Sequence, residues 1–214
     1  MPQPSWQWEK EFWKQGYANI AGIDEAGRGA WAGPLVAAAV IWPPYIKNLE
    51  GINDSKLLTP RQREKLIPLI LSQVRDWSIA FVPASLIDKK GITKATEIVF
   101  QRVLKQLNIS PDFVLVDGYH VRGIQCPQQP LIKGDQQSFT IAAASILAKV
   151  FRDWLMVTEY DSLFPDYQFA RHKGYGTRQH QQALRCYGLS PWHRRSYLKN
   201  FFASLEEKNI IMIK

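Results

Sequence analysis

The sequence predicts an α/β fold, a sheet with helices packed on it. Two short runs, Leu35–Trp42 and Phe113–Val116, are apolar without interruption, which is how strands buried on both faces read. Two longer segments, 92–107 and 138–156, carry apolar residues at helical spacing. Strand signals come first and then alternate with helix signals, the order of a layered α/β architecture.

Taken in chain order, residues 1–18 are rich in tryptophan and are expected to pack on the outside of the domain as an N-terminal extension. Asn19–Asp24 reads as a short strand, followed by a glycine-rich turn from Ala26 to Gly33. Leu35–Trp42 is the next strand, ended by Pro43 and Pro44. At Thr59 a helix starts. The threonine caps, Pro60 suits the first helical position, and Gln62 completes a capping box. This helix is expected to run toward Val74, with Pro68 kinking or breaking it. Ser78–Pro83 and Leu131–Lys133 are further short strands. Beyond the 138–156 helix, Thr177 caps a helix ending near Gly188, and a last helix covers Ser196–Glu207. The organisation expected is an extension over 1–18, a core over 19–164, and a basic helical portion of the same domain over 165–214.

A chain of 214 residues, 46% hydrophobic and 21% charged, suits one ample domain. Its longest apolar run is eight residues, far short of the roughly 18 needed to span a bilayer, and no signal-peptide pattern opens it. Cys126 and Cys186 form neither a CxxC pair nor a disulfide framework, which fits a reducing cytoplasm. These features argue against a membrane protein, a disulfide scaffold and a zinc ribbon.

Net charge is +8, and its distribution is uneven. Between Tyr167 and Leu205 there is no Asp or Glu, yet there are seven bases: Arg171, Lys173, Arg178, Arg185, Arg194, Arg195 and Lys199. Eight aromatic residues are interleaved with them. Basic charge among stacking rings is the composition of a nucleic-acid surface. The alternative is a solvated basic face over an aromatic core.

Acidic residues mark the other end of the chemistry. The apolar strand ending at Ile23 delivers Asp24 and Glu25, and Gly27 and Gly29 let the chain turn there. The strand Phe113–Val116 likewise delivers Asp117, followed by Gly118. Asp135 precedes the long helix. Carboxylates at strand ends can converge on one rim of a sheet, where open α/β sheets carry their sites. Their mutual repulsion would raise their pKa values, and divalent cations relieve it. An oxygen-only donor set favours Mg2+ or Mn2+. Two such ions can activate water and stabilise the leaving oxygen of a phosphodiester. Asp153 is a weaker candidate, better read as an ion-pair partner of Arg152 or another base.

Three loops add binding chemistry, each with a plain structural alternative. Gly27-Arg28-Gly29 offers backbone groups without bulk to a sugar or phosphate, or is only a tight turn. Ser55 and Lys56 can hold a phosphate, or belong to a solvated turn. Tyr175, set between glycines among bases, can stack on a sugar or base, or simply pack. GxSxG, P-loop, HExxH and EF-hand patterns are absent, and the four histidines show no metal-ligand spacing. On the residues alone, a silent duplex-binding protein and a hydrolase of small phosphate esters stay open beside a nuclease.

The chain resembles the bacterial type 2 ribonucleases H, the ribonuclease HII family. The matching stretches are AGIDEAGRGAWAGPLVAAAVI (21–41), NDSKLL (53–58), VLVDG (114–118), IKGDQQSFTIAAASILAKVFRD (132–153), HKGYGT (172–177) and WHRRSY (192–197). The resemblance implies a ribonuclease H-like mixed sheet flanked by helices, with a C-terminal helical portion that grips the duplex. It implies cleavage of the RNA strand of RNA–DNA hybrids and nicking 5′ of single ribonucleotides embedded in duplex DNA, leaving 3′-hydroxyl and 5′-phosphate ends. The metal-binding catalytic carboxylates fall on Asp24, Glu25, Asp117 and Asp135, for two Mg2+ or Mn2+ ions with substrate. The ribonucleotide-sensing turn falls on Gly27, Arg28 and Gly29, and the junction tyrosine on Tyr175. Ser55, Lys56, Arg194 and Arg195 are the expected phosphate contacts. A cytoplasmic monomer without membrane or obligate protein partner is expected. Ala30-Trp31 and Leu57 depart from the family pattern, and neither touches a carboxylate.

Overall fold

The structure, a computed structural model, describes residues 3–44 and 49–207. The outermost parts of the expected extension (1–2) and basic portion (208–214) lie outside the described residues. The chain packs as two compact units that interleave in sequence. Of the described residues, one comprises 3–26, 36–44, 49–81 and 96–150, the other 27–35, 82–95 and 151–207.

Along the chain the elements are α1 (Gln7–Lys14), β1 (Ile20–Ala26), β2 (Leu35–Ile41), α2 (Pro60–Leu71), β3 (Asp76–Val82), α3 (Ala84–Lys90), α4 (Ile92–Lys105), β4 (Phe113–Asp117), β5 (Gln128–Leu131) and α5 (Phe139–Leu155). After a π-helical stretch, Met156–Tyr160, come the short α6 (Asp161–Leu163) and α7 (Phe169–His172), then α8 (Arg178–Tyr187) and α9 (Arg195–Glu207).

In the first unit the strands form a five-stranded sheet in the order β3-β2-β1-β4-β5. β1 pairs antiparallel with β2 and parallel with β4, and β4 pairs parallel with β5, so the sheet is mixed. Every residue of β2 is buried, as its unbroken apolar run required. Gly22 explains how closely α5 lies on β1. A Cβ there would come within 2.6 Å of the Thr140 backbone carbonyl carbon. The capping box at Thr59 forms as read, and α2 passes through Pro68 to end at Leu71 rather than near Val74. β5 is shifted back from the expected 131–133, because Lys133 takes a left-handed conformation (φ 56°) that ends the strand. Pro130 is tolerated in β5 because this strand is a sheet edge.

The N-terminal segment packs on the domain through one face, with Gln7, Lys10, Glu11 and Lys14 exposed on the other. Trp6, Phe12 and Trp13 are buried. Trp6 packs on Trp42 and Phe139, and Phe12 lies 3.9 Å from Phe113, ring centre to ring centre. Glu9, itself fully buried, accepts from Ser138 Oγ (2.6 Å) and Thr140 N (2.9 Å) and so caps the start of α5. Tryptophans in a short segment carry enough apolar area to be worth burying, roughly 25 cal/mol per Å2.

The second unit has its own apolar core of Ala32, Met156, Tyr160, Tyr167, Phe169, Ala183, Leu184 and Leu198, with Trp31, Trp192, Phe201 and Phe202 packed against it. Thr177 caps α8 by accepting from His180 N, and Gly188 (φ 70°) ends it, both as expected. α9 is capped from a distance: Asp88 accepts from Arg195 N and Ser196 N, each at 2.9 Å. α3, which bears Asp88, has no counterpart in the sequence reading.

Candidate active site

β1 and β4 place two of the four expected carboxylates. In their parallel ladder Ile23 stands opposite Val116, so the following residues, Asp24 and Asp117, emerge side by side. Matched positions of neighbouring parallel strands point to the same face. Glu25 follows at the end of β1, partly exposed. Asp135 arrives by a different route. β5 pairs Leu131 with Asp117, and the turn after it brings Gly134 N to donate to Asp117 Oδ1 at 2.6 Å. The 3-10 turn Gly134–Gln136 then holds Asp135, which is buried.

These groups interact electrostatically. Burial pushes the Asp24 carboxyl well above the ordinary carboxylate range, and the charges of Asp117, Glu25 and Asp135 push it further. A hydrogen bond from Ser145 opposes this only in part. Asp135 is also raised, first by burial. The Lys56 ammonium, 3.2 Å from Asp135 Oδ2, pulls it down, but burial and the charge of Asp117 outweigh that. Lys56 itself is raised by Asp135 despite partial burial.

A second layer orients these groups. Ser145 on α5 has one hydroxyl proton, given to Asp24. The 2.8 Å bond between Ser145 and Ser55 hydroxyls therefore runs from Ser55 to Ser145. Asp54 accepts from Lys56 N (2.9 Å) and from Gln136 Nε2 (3.1 Å), tying the 53–56 loop to the Asp135 turn.

No three His, Cys, Asp or Glu side chains among the described residues converge as a ready-made metal cage. The donor set nonetheless suits a hard divalent cation. It is all carboxylate oxygen, and each carboxylate offers about four lone-pair positions, more than the hydrogen bonds above occupy. A cation would also relieve the repulsion that burdens Asp24.

In the second unit the turn Gly27–Gly29 is held from beneath. Gly27 has φ 93°, and a Cβ there would overlap the Arg152 side chain. Arg152 is fully buried and donates from Nε to Pro34 O (3.0 Å) and from Nη2 to Ala32 O (3.2 Å). The Arg28 carbonyl accepts from Arg194 Nη1 and from the Tyr197 hydroxyl, both at 2.9 Å. The Arg28 side chain and Gly29 are exposed. Tyr175 is half-buried, its ring 5.3 Å from the Arg152 guanidinium.

Two expected phosphate contacts are corrected. Ser55 is buried and its hydroxyl is engaged by Ser145. Arg194 is 0% exposed, donating to Gly33 O and Arg28 O, so it shapes the turn instead of meeting solvent. Lys56 and Arg195 are exposed. Most of the rings between the bases build the core of the second unit, while Arg171, Arg178, Arg185, Arg195 and Lys199 face solvent. The sequence reading missed Ser145, Asp54 and Arg152 as parts of this machinery. A hydroxyl among the alanines of an apolar helix was the available signal for Ser145.

A mixed five-stranded sheet with carboxylates at the ends of two adjacent parallel strands defines a ribonuclease H-like α/β hydrolase. Comparison with known proteins agrees. The family profile described as Ribonuclease HII matches residues 21–203. Ribonuclease HII of Desulfitobacterium hafniense is 49% identical over 88% of this chain and 72% of its own. That of Caldicellulosiruptor saccharolyticus is 47% identical over 90% of this chain and 93% of its own. Among solved structures, ribonuclease H2 from Pyrococcus horikoshii superposes with a TM-score of 0.70 at 28% identity, covering 89% of this chain and 98% of that one. The chain belongs to the ribonuclease HII family and is a ribonuclease H hydrolase, with the general activity on RNA–DNA hybrids that membership carries.

Proposed function

We propose that this enzyme, besides cutting the RNA strand of hybrids, nicks duplex DNA 5′ of a single embedded ribonucleotide, with Asp24, Glu25, Asp117 and Asp135 as the catalytic carboxylates. The observation that carries this reading is the pairing of Asp24 and Asp117 at the ends of adjacent strands, with Asp24 raised by burial and then by its acidic neighbours. These carboxylates would hold two divalent cations, Mg2+ or Mn2+, which when bound supply a more acidic water and stabilise negative charge on phosphate oxygens. In the hydrolysis a water oxygen bonds to phosphorus as the bond to the upstream 3′-oxygen breaks. That oxygen takes a proton, leaving a 3′-hydroxyl and a 5′-phosphate.

The remaining residues bind and select. Backbone groups of Gly27–Gly29 recognise the 2′-hydroxyl, the group that separates RNA from DNA. The Tyr175 ring fills the place beside the next sugar and disfavours a hydroxyl there. Exposed bases, Arg28, Lys56 and Arg195 among them, hold phosphates. In this reading the enzyme works as a cytoplasmic monomer without an obligate partner. No helix among the described residues is long and apolar enough to cross a membrane. The test is a labelled DNA duplex with one ribonucleotide, incubated with and without Mg2+ and mapped at nucleotide resolution. A nick on the 5′ side supports the reading. Cutting of continuous hybrid alone, or a nick on the 3′ side, overturns it.

A further inference from the structure

Three buried histidines of the second unit lie directly behind the loop that carries Tyr175. His172, His180 and His193 are 6%, 0% and 2% exposed. The His180 and His193 rings meet edge to edge, Nε2 to Nε2, at 2.9 Å. His180 Nδ1 lies 3.0 Å from the Tyr175 carbonyl oxygen. At the other end Ser190 N donates to His193 Nδ1 at 2.9 Å. His172 stacks on His180, ring centres 4.4 Å apart.

The proton positions follow from the two ends. A carbonyl only accepts, so His180 Nδ1 carries hydrogen and, in the neutral ring, its Nε2 is bare. His193 Nε2 must then be the donor, which leaves His193 Nδ1 bare. That is what the Ser190 amide requires, since an N–H only donates. The chain of bonds therefore runs in one direction, from Ser190 through His193 and His180 to the Tyr175 peptide. Protonating His180 would set two hydrogens against each other across the Nε2–Nε2 contact, while the Ser190 hydroxyl, 2.8 Å from His193 Nδ1, shares that nitrogen with the amide. Burial and the neighbouring imidazoles hold both rings neutral.

We infer that His180 and His193 are positioning residues whose relay fixes the Tyr175 peptide and thereby the selectivity for a single embedded ribonucleotide. The inference rests on the junction role proposed above for Tyr175. The carbonyl that His180 holds also accepts from Thr177 N (2.8 Å). Both donors belong to the start of α8, so losing His180 removes one of the two bonds that hold the peptide there.

The measured quantity is the ratio of nicking at one ribonucleotide to cutting of continuous hybrid. His180→Leu should lower that ratio roughly tenfold, the size of one lost hydrogen bond. His180→Asn, whose amide can still donate to the Tyr175 carbonyl, should restore most of it. A merely structural histidine would lower both reactions in parallel, and an unchanged ratio in His180→Leu overturns the inference. Tyr175→Ala separates the two levels. If it leaves the ratio unmoved, the Tyr175 reading fails and the inference with it. If it collapses the ratio while His180→Leu does not, the inference alone fails. Independently of folding losses in variants, 15N spectra of the wild-type side chains should show His180 protonated at Nδ1 and His193 at Nε2. The opposite tautomer in either ring overturns the relay.

Discussion

Asp24 and Asp117 stand one residue beyond the matched pair Ile23 and Val116, on two parallel strands that share a ladder. Two rigid backbones thus hold two carboxyl groups together, and burial first, then the neighbouring charge, raises the Asp24 carboxyl. This costs the apo protein stability that a bound cation would return.

Asp24→Asn and Asp117→Asn should each lower turnover by roughly 1000-fold or more, the scale of losing one member of a catalytic constellation. For Asp24 the sign on stability is opposite. Its folded pKa lies above its unfolded one, so its favourable contribution is complete below the unfolded value and is lost as pH rises through the folded one. Asp24→Asn should therefore raise the melting temperature at neutral pH, by roughly 2–4 °C per kcal/mol of repulsion removed. A variant both inactive and less stable would contradict the assignment.

Divalent cations should stabilise the wild type without any substrate. At 100 times its dissociation constant a ligand adds about 2.7 kcal/mol. Melting curves with Mg2+ and with EDTA measure this directly. The shift should vanish in Asp24→Asn and persist in Arg195→Ala.

The two glycines of the Gly27–Gly29 turn should behave differently. Gly27→Ala meets Arg152 and a positive φ, so it should destabilise by about 1–3 kcal/mol and abolish single-ribonucleotide nicking. Gly29 has open space where its Cβ would go. Gly29→Ala should fold normally, and urea melts of the two variants make the comparison.

Arg194 and Arg195 are sequence neighbours with opposite expected effects. Arg195→Ala, at an exposed base, should reduce the slope of log affinity against log salt by up to about 0.9 and leave the melting temperature alone. Arg194→Ala would strand the Gly33 carbonyl, leave the Arg28 carbonyl with the Tyr197 hydroxyl alone, and should cost about 2–4 kcal/mol. Equal salt effects from both would contradict the burial of Arg194.

The buried histidines set an acid limit. Their folded pKa values fall to about 3 for His180 and about 4 for His193, through burial first and neighbouring imidazoles second, against backbone hydrogen bonds that raise them. The unfolded chain therefore binds protons before the folded one as pH drops. Their contribution is intact above about pH 6.5 and is lost progressively toward pH 4. Urea melts between pH 7.5 and 4.5 should show a falling limb that His193→Asn flattens.

Much of this was legible one segment at a time. The strand at Leu35 declared itself by an unbroken apolar run, and α2 by Thr59, Pro60 and Gln62, because these signals depend on neighbours a few residues away. α3 was not legible, having neither a side-chain cap nor a long apolar stripe, and its tie to the start of α9, 107 positions away, runs through Asp88. Arg194 misled because charge predicts exposure only where no buried carbonyl competes for the guanidinium.

Local pattern alone placed acids at the ends of apolar strands and a glycine turn immediately after, since a strand's length and a glycine's freedom are properties of short stretches. Which acids meet, which serine orients Asp24, and which arginine vanishes beneath the turn were settled by the fold. Those choices depend on ladder register and on hydrogen bonds between residues 90 to 166 positions apart, such as Ser55 with Ser145 and Arg194 with Arg28.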